Sequence, residues 1–118
     1  MKINEFLSVL FEVRINAHIS HLQTGSYAAH KALDELYNGI VDYTDRIAET
    51  YQGDTKTIIT KYPQIKIVEG LDFVKYLKET VDNSRTFRKE IEQEEIKAIV
   101  DELIEFLNSI IYKLNFLE

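Results

Sequence analysis

Residues 53–70 read GDTKTIITKYPQIKIVEG, a stretch bounded by two of the chain's four glycines and holding its one proline. Helical periodicity runs up to it and resumes after it, but lapses within it. Fully extended, a connection of this length reaches about 60 Å, enough to travel the whole length of a helical bundle. Its apolar pieces, TIIT and IKIV, also have the composition of two short paired strands.

On either side the apolar residues recur at helical spacing. Before the stretch, residues 3–23 carry Ile3, Phe6, Leu7, Leu10, Val13 and Ala17 on one stripe, and residues 27–52 carry Ala29, Leu33, Leu36, Ile40, Tyr43, Ile47 and Tyr51. Gly25 caps the first segment and Ser26 starts the second; Gly53 stops it. After the stretch, residues 71–84 repeat the pattern on Val74, Leu77 and Val81, and residues 92–116 from Ile96 to Leu114. The charged run FRKEIEQEEIK reads as the exposed start of the last helix. Short first and last links make two antiparallel hairpins, and the long middle link joins them. These features predict an all-α, single-domain chain over residues 1–118, a four-helix bundle with a long crossover between the second and third helices.

Composition narrows the chemistry. With 118 residues and 45% hydrophobic content the chain can bury a core without staples. It has no cysteine, so a metal would have to sit on nitrogen and oxygen. A net charge of −6 disfavours nonspecific binding to phosphate backbones and favours cations as partners. The N-terminal segment lacks the form of a signal peptide, and no run of about eighteen apolar residues offers a membrane span. A soluble, cytoplasmic protein is expected.

All three histidines fall in residues 18–34, HISHLQTGSYAAHKALD, and DYTDRIAE follows at 42–49. On the second helix His30 and Asp34 are four apart, as are Asp45 and Glu49, so each pair projects from one face. At about 1.5 Å per residue, His30 and Asp45 are roughly 22 Å apart along the axis, too far for one ion. Taking Ile40 as zero at 100° per residue, His30 falls near 80°, Asp34 near 120°, Asp45 near 140° and Glu49 near 180°. They share a flank off the core stripe with Tyr37, Val41 and Ala48. A second copy of the helix laid antiparallel on this flank would bring His30 and Asp34 of one chain to Asp45 and Glu49 of the other, twice over. Gly39, near the two-fold axis, would then let the backbones approach. On the first helix His21 continues the buried stripe and His18 sits on its shoulder. His21 is the expected ligand, with His18 second or alternate. Such a donor set suits iron, manganese or zinc. Spacing alone is equally compatible with packing histidines and a solvated acidic face.

At these residues the chain resembles the Dps family of small ferritin-like proteins, which oxidise ferrous iron, store it as mineral and protect DNA. His30, Asp34, Asp45 and Glu49 match that family's second-helix pattern without a gap, and DRIAE echoes its D-x-I-A-E-R, with Thr50 in place of the arginine. His21 in HL looks like the counterpart of the family's HW histidine, given a shorter turn; without a gap, His18 has that spacing. The resemblance implies a ferritin-like bundle and a ferroxidase site shared between subunits, with iron bound by His21 or His18, His30, Asp34, Asp45 and Glu49. It also implies a homo-oligomer, at least a two-fold dimer and in the family a dodecamer. No lysine-rich tail is present, which speaks against DNA binding through a basic arm. Compact variants of this kind are similar to proteins predicted in bacteriophage genomes. The expectation from another class is a noncatalytic helical assembly or ligand-binding protein on the same scaffold.

Overall fold

Four helices follow from these patterns in the computed structural model, which describes residues 1–117: α1 (Ile3–Gln23), α2 (Tyr27–Thr55), α3 (Phe73–Glu90) and α4 (Glu94–Phe116). The starts of α1, α2 and α3 are set by side chains that accept from otherwise orphaned amides. Ser26 Oγ accepts from Ala29 N at 3.2 Å to open α2, and Asp72 Oδ1 accepts from Lys75 N at 3.2 Å to open α3. At α1, Glu5 Oε1 accepts from Lys2 N at 2.7 Å.

Helix α2 does not stop at Gly53. It runs two residues further and ends where Lys56 turns left-handed, at φ 58°. Gly53 faces open space, and the last turn is closed by Thr55 Oγ1 donating to Tyr51 O at 2.8 Å. The larger departure from expectation lies at Phe87. Residues 85–90 belong to the end of α3, and α4 begins only at Glu94. The run is highly charged, yet Phe87 is buried and stacks on Phe6 of α1, centroids 4.3 Å apart and planes at 11°. That contact holds the last turns of α3 against the core.

The helices close a ring in the order α1, α2, α4, α3, with every neighbour antiparallel. Arg46 meets Glu102 at 2.9 Å and Lys113 meets Glu35 at 2.6 Å, so α4 rises as α2 falls. Arg88 on Asp101 at 2.6 Å ties the α3–α4 hairpin. The interior is filled by the expected stripes, among them Leu10, Leu36, Ile40, Leu77, Leu103 and Leu107, all inaccessible to solvent.

Residues 56–72 return along α1 from its first turn to its last. No strand forms among the described residues. Asn4 Nδ2 donates to Lys61 O at 3.0 Å, and further along α1 the Asn16 amide donates to Lys66 O and accepts from Val68 N, both at 3.0 Å. Glu12 Oε1 accepts from Lys66 N at 2.8 Å. The twelve residues from Asn4 to Asn16 rise about 18 Å along the helix, so five residues of crossover cover that distance, close to the limit of an extended chain. Tyr76 of α3 closes the cluster, its phenol 3.4 Å from both Glu12 Oε2 and Asn16 Nδ2, with its pKa pushed up to about 12 chiefly by burial.

Gly39 has a different reason from the one its position suggested. The Phe106 ring of α4 lies over it, and a Cβ there would come within 2.5 Å of Phe106 Cζ. The close approach is therefore between two helices of one chain. Adding that methyl costs about 1–3 kcal/mol of overpacking, against roughly 1 kcal/mol gained in helix propensity. Gly39→Ala should lower stability in chemical denaturation, and the same change made on Phe106→Ala should raise it. Asn16→Ala removes the partner of the Lys66 carbonyl and of the Val68 amide. It should cost about 0.5–1.5 kcal/mol for each hydrogen bond lost and speed hydrogen exchange at the Val68 amide.

Candidate functional site

The link at residues 24–26 is tight: Thr24 N donates to Ser20 O at 3.0 Å, and Ser26 N to Thr24 Oγ1 at 3.2 Å. It reverses the chain within three residues and so faces the last turn of α1 with the first of α2. His21 and His30 meet there. Their rings stack with centroids 3.7 Å apart and planes at 20°. Each ring bonds the other's backbone: His21 Nδ1 to His30 O at 2.7 Å, and His30 Nδ1 to His21 O at 2.8 Å.

A carbonyl only accepts, so both Nδ1 atoms must carry the hydrogen. In the neutral ring this leaves the Nε2 lone pair free. A metal-ligating histidine is commonly oriented in this way, its second nitrogen donating to a backbone carbonyl. Imidazole coordinates in its ring plane, and two nearly parallel rings send their lone pairs along separate lines. The stacked pair therefore does not by itself chelate a single ion.

His21 is 9% exposed and continues the α1 core stripe, as its angular position predicts. His18 lies on the exposed shoulder and stacks on Tyr37 of α2, centroids 4.2 Å apart and planes at 14°. Tyr37 also lies 5.3 Å from the His21 ring, so the imidazoles and the phenol form one aromatic cluster across the α1–α2 groove. Asp34, half-buried one turn beyond His30, accepts from Asn38 Nδ2 at 3.3 Å. The Asp34 carboxylate, and after it burial, holds the Tyr37 phenol above its ordinary pKa.

Asp45 and Glu49 are not brought to this cluster. Both are exposed, and neither forms an ion pair among the described residues. Arg46, the basic residue between them, turns to α4 and is held by Glu102 and, at 4.0 Å, by Asp42. Among the described residues of one chain, no three histidine or carboxylate side chains are grouped to hold an ion. The structure thus joins His18, His21 and His30 with Asp34 close by, and leaves Asp45 and Glu49 farther along the same helix. Periodicity placed Tyr37 on the flank of His30 and Asp34 but did not show its stacking on His18, and it did not single out Asn38. The i,i+4 spacing of Asp34 and Asn38 was the available signal for one of them.

A cleft of about 580 Å³ opens at the opposite end of the bundle, between the start of α1 and the ends of α2 and α3. No histidine lines it. No helix is long and apolar enough to cross a membrane among the described residues.

The sequence matches a family of unknown function (DUF5856) over residues 21–114. The chain belongs to that family. It is also similar to an uncharacterized 14.6 kDa protein from the mobD-ri intergenic region of Enterobacteria phage T4, 30% identical over 104 residues, which span 86% of this chain and 79% of the relative. No solved structure matches it significantly. The DUF5856 match takes in His21, His30, Asp34, Asp45 and Glu49 and leaves out His18.

The Tyr37 arrangement gives a measurable sign. Asp34 raises the Tyr37 pKa because ionising the phenol beside a carboxylate would oppose two negative charges, so removing that carboxylate should ease ionisation. Asp34→Ala should shift the titration of Tyr37, followed by tyrosinate absorbance against a Tyr37→Phe control, to lower pH.

Proposed function

We propose that this protein is a ferritin-like, Dps-like iron-binding protein that oxidises ferrous iron at sites shared by two chains. One observation carries the reading: His21 and His30 are both oriented through Nδ1, and beyond His30 the same flank of α2 carries Asp45 and Glu49, which have no cationic partner among the described residues. Two such flanks laid antiparallel bring His21, His30 and Asp34 of one chain to Asp45 and Glu49 of a second. His18 is the alternate first-helix ligand. Each two-fold dimer then has two equal sites.

Iron is the substrate in this reading, and manganese or zinc would compete for the same donors. Imidazoles anchor the ferrous ion. The carboxylates of Asp34, Asp45 and Glu49 would favour the ferric product, because hard anionic oxygen donors suit the higher charge. Two ferrous ions each give one electron to a peroxide, its O–O bond breaks, and two protons complete two waters. Oxygen is the alternative oxidant. Sequestration of iron or protection against peroxide in the cytoplasm follows as the role, and the net charge of −6 leaves DNA out of the proposal.

A second reading has its own observation. In His21 and His30 the Nδ1 atoms and one face of each ring are already occupied within the chain. Histidines that only pack would look the same, and the protein would then be a noncatalytic helical assembly or ligand-binding module.

Mixing two inactive variants separates the readings. His30→Ala alone and Asp45→Ala alone should each abolish iron-dependent absorbance while remaining folded. Co-refolded in equal amounts, they should recover about one quarter of wild-type oxidation, because half the dimers are mixed and each mixed dimer has one intact site. Activity absent from the wild type, or unchanged in both variants, would reject the iron reading.

A further inference from the structure

The crossover is held by one edge only. From residue 56 to 68 it has three lysines, Lys56, Lys61 and Lys66, and no acid. It makes no backbone-to-backbone hydrogen bond among the described residues. Along α1 its amides are satisfied by side chains: Lys66 N by Glu12, and Lys66 O with Val68 N by the two ends of the Asn16 amide. A C=O and the N–H two residues on, bound by a single amide, is the pairing of a parallel β-ladder, with asparagine in place of a peptide group.

In an extended chain the amides of alternate residues face opposite sides. With Lys66 and Val68 turned to α1, the N–H and C=O groups of Ile65 and Ile67 face the other way. They make no hydrogen bond among the described residues. The side chains nearby are apolar and open, Ile67 at 62% and Val68 at 42% exposure. Pro63, which lacks an N–H, and Gly70 at φ 66° bound the window. An open, apolar, extended edge is a template for strand addition.

Charge selects the occupant. Two copies of this segment paired edge to edge would oppose lysine to lysine, which disfavours self-pairing. A carboxylate-bearing strand would instead meet Lys61 and Lys66. We propose that residues 64–68 take an extended acidic segment of another protein as an added strand. Ile65 and Ile67 supply the backbone pairing, Ile67 and Val68 the apolar contact, and the lysines the charge. The site is independent of the histidines.

The test uses the full chain and a capped decapeptide of alternating glutamate and valine. Binding is followed by fluorescence anisotropy, and amide exchange by NMR. The peptide should slow exchange at Ile65 and Ile67 about tenfold or more and leave Lys66 and Val68, already bonded, unchanged. Affinity should fall about tenfold or more with Lys66→Glu, and equally when alternate peptide amides are N-methylated. Failure to bind, or equal binding of a lysine–valine or an N-methylated peptide, would overturn the proposal. So would protection of the same amides on concentrating the protein alone, which would make the occupant a second copy.

Discussion

The architecture depends on carrying a segment of backbone the length of a bundle with no strand to pair it. Every amide along that path needs a partner in water or protein, and the chain must be nearly straight to cover the distance. The sequence meets this with polar side chains on the edge of α1 that faces the crossover. Asn4, Glu12 and Asn16 take the place of a neighbouring strand and convert a flexible link into a fixed one. With that link in place, α3 starts at the end where α2 began, and the ring order of the helices follows.

The same economy governs the histidine pair. A three-residue reversal alone would leave the α1 and α2 ends free to splay. Two imidazoles, each bonded to the other's backbone, close them like crossed hands. The bonds use one nitrogen of each ring and spare the other, so mechanical and chemical roles can coexist in one residue. Tyr37 and Asp34 extend the arrangement outward along α2.

Much of this was legible in the residues. Apolar stripes gave the four helices, and glycine and proline marked the long middle link. The angular position of His21, in line with Leu10, placed it in the interior, and His18 fell on the shoulder for the same reason. What periodicity could not supply was tertiary pairing. Phe87 sits in a run of charges that reads as solvent-exposed, and only Phe6, far away in the chain, makes it a core residue. Gly39 reads as a place of close approach, but which neighbour approaches was settled by Phe106. Asn16 borders an apolar stripe, where a polar residue signals a buried obligation without naming the partner.

The stack of Phe6 on Phe87 also bears on how the chain reaches this state. Each hairpin closes through a three-residue link, and such local contacts form early at little entropic cost. Joining the two requires closure of a far larger loop, rewarded only when the aromatic faces and the Asn16 clamp engage together. Folding should therefore proceed as two quick hairpins and one slower docking step, with the crossover the last part of the molecule to find its place.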